Sequence, residues 1–107
     1  MSSKTLLAAA SLICLATSSA QADVYCVETV QNVKVYANGA VMFATDQTCS
    51  FCQVGGSTDA IVNRGYAALA TALATGKQVQ FYWPGINSCS TQNAAYAIPS
   101  FISLVNS

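Results

Sequence analysis

Residues 57–83 read STDAIVNRGYAALATALATGKQVQFYW. They decide the fold class, because a helix-period pattern gives way to a strand-period pattern within a few residues. Ser57 or Thr58 offers a side-chain cap, and Asp59 falls in the first turn, where the helix dipole favours a negative charge. Val62, Tyr66, Leu69 and Leu73 follow at helical spacing and form one apolar stripe on a helix predicted to run to about Thr75. Alanines and Gly65 keep the rest of that helix slim. Glycine inside a helix costs about 1 kcal/mol against alanine, so Gly65 is expected where another backbone packs close. Gly76 then stops the helix, with Lys77 beside its negative end. Val79, Phe81 and Trp83 alternate with Gln78, Gln80 and Tyr82, which predicts a strand with one apolar face, ended by Pro84-Gly85.

The segment upstream reads as strands. Val24, Cys26 and Val30 alternate with Tyr25, Val27 and Thr29; the phase slips at Gln31-Asn32 and resumes through Val33, Val35 and Ala37. Such a slip signals a bulge or a short turn, so the first strand can break in two. Asn38-Gly39 between two strand-like runs favours a type I′ hairpin, with residues 40–45 as the returning strand. Residues 46–57 read as a loop holding Cys49 and Cys52 and ending near Gly55-Gly56. Residues 86–95 form a polar loop with Cys89, and residues 98–105 a last strand with Pro99 near its start. Strand, strand, helix, strand, strand is an α+β order. Its simplest packing is a small OB-like antiparallel barrel, or a curved sheet, carrying one central helix.

The N-terminal segment sets the compartment. Lys4, the apolar run 6–16 and the small-x-small site Ala20-Gln21-Ala22 compose a secretory signal peptide over residues 1–22, too short for a membrane span. Residues 23–107 are then a single small domain, periplasmic or secreted after cleavage following Ala22. Cys14 leaves with the leader, and Ser11-Leu12-Ile13 before it lacks the small residue expected beside a lipidated cysteine. Cys26, Cys49, Cys52 and Cys89 remain. In an oxidising compartment they form two disulfide staples, each contributing about 2–4 kcal/mol. Three pairings are open; the expected one joins Cys26 to Cys49 or Cys52, and Cys89 to the other, tying the first strand and the last third of the chain to one central loop.

Charge and composition exclude several functions. After residue 22 the charged side chains are Lys34, Arg64 and Lys77 against Asp23, Glu28, Asp46 and Asp59. No basic stripe exists to hold nucleic acid or anionic lipid. The absence of histidine removes Ser–His and Cys–His nucleophile pairs and the usual acid–base catalyst. Glu28 and Asp46 could face each other across a hairpin, but nothing in their spacing marks a glycosidase pair, and both are expected as solvated surface or turn residues. Cys49-Ser50-Phe51-Cys52 has redox-motif spacing, yet two glycines and several polar residues separate it from the helix N-terminus that such a thiolate needs. Zinc is disfavoured by oxidation and by the lack of histidine. The expectation is a protein that is not an enzyme and uses no metal or cofactor.

Aromatic residues are the better candidates. Aromatic faces stack on the apolar faces of sugars, while amides and hydroxyls read sugar hydroxyls. Phe81 and Trp83 are expected in the core. Tyr82, Tyr96 and the loop residues Asn87, Ser88, Gln92 and Asn93 are the candidate ligand-binding set.

Residues 33–39 (VKVYANG) and 66–85 (YAALATALATGKQVQFYWPG) resemble the B subunits of bacterial A-plus-B-pentamer toxins, most nearly those of the subtilase cytotoxin kind. Small exported bacterial proteins share the same helix-Gly-Lys-x-Val-strand layout. The likeness covers roughly half of the chain after residue 22 and rests on alternation patterns. It implies an OB-fold, a homopentamer, a catalytic A subunit as partner and a sialylated glycan on a host receptor as ligand; it assigns no site residue. Three readings follow. The first is non-catalytic glycan binding, and the second a monomeric periplasmic or secreted accessory protein whose sheet edge docks on a protein partner. The third is a thiol–disulfide protein using Cys49 and Cys52.

Overall fold

A computed structural model describes residues 23–105; the leader expected over residues 1–22 lies outside them. The chain runs β1 (Val24–Glu28), β2 (Val30–Val35), β3 (Val41–Thr45), β4 (Cys52–Gln53), α1 (Asp59–Thr75), β5 (Val79–Trp83) and β6 (Phe101–Leu104). The strands form two antiparallel three-stranded sheets, ordered β1-β5-β6 and β2-β3-β4. The fold is thus a small α+β arrangement with one helix and two disulfides.

The first strand breaks in two, but at Thr29 and not at the Gln31-Asn32 phase slip from which a break was expected. Thr29 alone separates β1 from β2, and there the chain changes sheets. The Asp46 N–H donates to the Thr29 carbonyl (3.0 Å), and the Asp46 carboxylate accepts from the Thr29 N–H (2.9 Å). The phase slip read at Gln31-Asn32 is a bulge, where the β2–β3 register jumps between Val30 and Asn32. Part of the segment expected to be loop forms the two-residue strand β4, paired with Met42 and Phe43 of β3.

Taken as one bent strand, β1 and β2 pair with β5 on one side and with β3 on the other, as in an OB-like barrel. Closure would require β4 to pair with the approach to β6. Two backbone bonds run there in parallel sense, Tyr96 N–H to the Phe51 carbonyl (2.7 Å) and Gln53 N–H to the Ala97 carbonyl (2.8 Å). Tyr96 is left-handed at φ 68°, which offsets the two bonds by one residue and prevents a ladder. Among the described residues the two sheets therefore stay distinct, without a closed barrel.

The hairpin differs from the expected type I′ turn. Gly39 has φ 93°, but Asn38 does not share its positive φ. The Tyr36 carbonyl accepts from the Gly39 N–H (2.9 Å), and the Tyr36 N–H donates to the Ala40 carbonyl (2.8 Å). This is a three-residue loop with the bulge at glycine. Asn38 stays on the right-handed side, where its Oδ1 accepts from the Ala40 N–H (3.0 Å).

The core lies between the sheets. Phe43 and Phe81 stack at 5.3 Å and 9°, and Trp83 stacks on Phe81 at 5.4 Å. Helix α1 is capped by Thr58, whose hydroxyl accepts from the Ile61 N–H (3.2 Å), and stopped by Gly76 at φ 74°. Its buried line is not the predicted stripe. Leu69 is buried with Ala72, while Tyr66 and Leu73 are exposed. The small residues let that face of the helix sit close: a Cβ on Gly65 would lie 2.5 Å from Val54 Cγ1. The neighbour at Gly65 is thus a side chain and not the backbone expected.

The disulfides also correct the expected pairing. Cys26 bonds Cys89, and Cys49 bonds Cys52, each pair with Cα atoms 5.6 Å apart. The turn from β3 into β4, in which the Thr45 N–H donates to the Cys49 carbonyl (2.9 Å), makes Cys49 and Cys52 each other's neighbours. Cys26, inward on β1, then meets the loop after β5. Among the described residues no helix is long and apolar enough to cross a membrane.

Candidate functional site

The aromatic residues fall into two groups outside the core. Tyr82 points outward from β5. Register places Tyr25 of β1 and Phe101 of β6 directly opposite it on either side. The rings form a row across the sheet, Tyr25–Tyr82 at 4.7 Å and Tyr82–Phe101 at 5.8 Å. Tyr25 and Phe101 are both exposed. The hydrogen bond from the Tyr82 hydroxyl to the Asp23 carboxylate pushes the Tyr82 pKa above its ordinary value, because ionising the phenol would place two anions together. Asp23→Asn should lower the Tyr82 midpoint in a ring-resonance NMR titration; an unmoved midpoint sinks the assignment.

Tyr96 belongs to the second group. Its ring meets Phe51 edge-on at 5.1 Å and 75°, and Tyr36 meets Phe51 at 6.3 Å and 73°. These three rings, with Asn38, Ala40 and Met42, line a hollow of about 150 Å³. Lys34 Nζ lies 5.8 Å from the centre of the Phe51 ring, a cation–π contact.

Each wall is fixed locally. Tyr36 and Ala40 close the hairpin stem through their backbone bond, and Met42 is buried on β3. Phe51 lies inside the short Cys49–Cys52 loop, and Tyr96 is pinned by its N–H bond to the Phe51 carbonyl. A site with such walls exists before any ligand arrives, which lowers the ordering cost of binding.

The remaining predicted residues are dispersed. Asn87 is exposed on the loop after β5. The Ser88 and Ser90 hydroxyls bond each other at 2.8 Å. Gln92 donates Nε2–H to the Gln47 carbonyl (2.9 Å). Asn93 is buried, donating its N–H to the Thr48 carbonyl (2.7 Å) and Nδ2–H to Thr48 Oγ1 (3.1 Å). The sequence-predicted set is therefore split: Tyr82 lies on the sheet face, Tyr96 in the aromatic hollow, and Gln92 and Asn93 brace the turn at 47–48.

Glu28 is the clearest departure from expectation. It is fully buried, its carboxylate accepting from the Thr45 hydroxyl, the Thr48 N–H (2.9 Å) and hydroxyl (2.9 Å), and Trp83 Nε1–H (2.9 Å). Asp46 is an exposed turn residue. The two carboxylates share no open cleft. The sequence carried a signal for Glu28, which occupies the inward phase of the Cys26–Val30 alternation. Phe51 and Tyr36 had a weaker signal, since only the register of β3 with β4 and the Tyr96 backbone bond unite them. The Cys49–Cys52 sulfurs are also shut in, with both residues buried, so no thiolate faces a substrate. Among the described residues no cluster of three or more His, Cys, Asp or Glu side chains could hold a metal ion.

No protein-family model matches this chain, and a search of the curated proteins finds no match either.

Proposed function

We propose that this protein is a non-catalytic binding domain that stacks one neutral sugar ring of a glycan in the hollow between Tyr36, Phe51 and Tyr96. The observation that carries the reading is the Phe51 ring met edge-on by both Tyr36 and Tyr96, the three rings lining a preformed hollow of about 150 Å³. That volume suits one ring of a longer chain better than a whole branched oligosaccharide. The ring faces meet the C–H face of a sugar, and the Asn38 amide beside them can meet a hydroxyl. Tyr96 supports the same reading. A non-glycine residue held in the left-handed region costs of order 1–3 kcal/mol, and such strain concentrates where a side chain must be aimed.

Two disulfides suit export to the periplasm or beyond. The toxin B-subunit resemblance adds a ring of five copies and a catalytic partner subunit to the proposal. A pentameric native mass without reductant supports that addition, and a monomer removes it while leaving the hollow intact.

The test begins with a glycan array probed by the disulfide-bonded protein, followed by titration of the best neutral glycan. Tyr36→Ala and Tyr96→Ala should each weaken binding about tenfold, equivalent to about 1.4 kcal/mol, with an unchanged circular dichroism spectrum. Tyr82→Ala should leave the affinity unchanged. The reverse pattern moves the ligand to the Tyr25–Tyr82–Phe101 face. An array without a hit removes the glycan reading.

A further inference from the structure

The unclosed barrel leaves a seam with a composition of its own. Beyond the Gln53–Ala97 bond no backbone bond among the described residues joins the stretch after β4 to the approach to β6; Gly55 still packs on Ile98, where a Cβ would lie 2.5 Å from Cγ2, and a groove of about 420 Å³ is lined by both segments. Val54 and Gly55 line one wall, Ser100 and Ile102 the other, and α1 contributes Ile61 and Arg64.

One wall of this groove is an unsatisfied strand edge. Among the described residues strand β6 pairs only with β5. The Val105 N–H donates to the Gln78 carbonyl (3.1 Å), and the register pairs Gln80 with Ser103 and Tyr82 with Phe101. Alternation along an antiparallel pair therefore directs the N–H and C=O of Ile102 and Leu104 away from β5, toward the open edge. Such an edge is a template for another strand. Arg64 is exposed at the groove, and none of the described residues lining the groove carries a carboxylate.

We infer that the seam binds an extended, apolar segment of a partner protein that carries a carboxylate for Arg64, adding a strand beside β6. Four residues of strand, the length of β6, span about 13 Å. Among the described residues this chain offers no extended segment with a free carboxylate, which favours a segment of a different protein as the occupant. The described carboxylates of this chain sit in the core (Glu28), in a turn (Asp46), in the first turn of α1 (Asp59) and just before the paired strand β1 (Asp23). Only Asp23 lies outside a paired strand, helix or turn, and its carboxylate is engaged by the Tyr82 hydroxyl. This site is separate from the aromatic hollow, and either can fail without the other.

The probe is the peptide acetyl-Val-Thr-Val-Asp, titrated into the ¹⁵N-labelled, disulfide-bonded protein. The expected result is amide shifts at Gly55, Ser100 and Ile102, with about tenfold slower hydrogen exchange at Ile102 and Leu104. Arg64→Gln, on an exposed side chain, should weaken binding about fivefold, and so should lysine in place of the aspartate of the peptide. Absence of shifts at millimolar peptide overturns the inference, as do shifts centred on Tyr36, Phe51 and Tyr96. Concentration-dependent protection of Ile102 without peptide overturns it too, by assigning the seam to a second copy of this chain.

Discussion

Glu28→Ala should lower the stability of the protein by about 3–5 kcal/mol, enough to bring a domain of this size close to the margin of folding. The carboxylate of Glu28 sits at the centre of the fold, and every neighbouring polar group points hydrogen at it: the hydroxyl of Thr45, the N–H and hydroxyl of Thr48, and Nε1–H of Trp83. These donors come from β3, the following turn and β5, so the one side chain ties both sheets together. The Thr48 hydroxyl can give its proton to Glu28 because Asn93 Nδ2–H satisfies its lone pair (3.1 Å). Among the described residues no buried side-chain nitrogen or oxygen lacks a partner. Alanine would orphan the donors around Glu28 at once, and each buried unsatisfied group costs about 1–3 kcal/mol. Breaking a buried charged network typically costs about 3–5 kcal/mol in all. A domain of this size has about 4–12 kcal/mol to lose. Glu28→Gln keeps the volume and one acceptor oxygen, but turns an amide donor toward another donor, so its loss should be about half as large. The single tryptophan, Trp83, is itself buried and reports unfolding through its fluorescence. A urea midpoint for Glu28→Ala equal to that of the parent protein would show that the network contributes nothing.

The same residue shows where the sequence stopped being legible. Elements set by local periodicity and capping were readable: the Thr58 cap, the Gly76 stop, the inward Val79-Phe81-Trp83 face and the bulge at the Gln31-Asn32 phase slip all follow from neighbours in sequence. What depended on contacts between distant residues was not. Glu28 was read as solvated because carboxylates usually are; only the approach of Thr45, Thr48 and Trp83 makes its burial tolerable. On α1 the pattern marked Tyr66 and Leu73 as apolar, but the close fit of Val54 against Gly65 turns the buried face toward Ala72. The aromatic hollow draws on the hairpin stem, the disulfide loop and a residue near β6, three segments that no sequence spacing connects. Tyr96 entered the candidate set for its ring, whereas its position beside Phe51 depends on a left-handed backbone that propensity alone would have assigned to glycine.

The disulfide pairing separates the two staples by their effect on stability. In the chain-entropy account, a cross-link stabilises by restricting the unfolded chain, and more so for a longer loop. Cys26–Cys89 spans 63 positions, which gives about 4 kcal/mol; Cys49–Cys52 spans 3, which gives about 2 kcal/mol. Joining Cys26 and Cys89 each to the central loop, as the sequence suggested, would have closed two loops of intermediate length worth about 3.5–4 kcal/mol apiece. The pairings therefore differ in a ratio as well as in connectivity. Cys26→Ala with Cys89→Ala should lower the urea-derived stability about twice as much as Cys49→Ala with Cys52→Ala, and should leave the domain marginal on the scale set by its size. The short staple has a different consequence. It holds Phe51 within a small loop, so its removal should loosen the aromatic hollow more than the fold. The Phe51 ring resonances should broaden while the urea midpoint falls only modestly. Equal losses from the two double variants would indicate that the two bridges close loops of similar length, and would overturn the pairing on which the rigidity of the hollow depends.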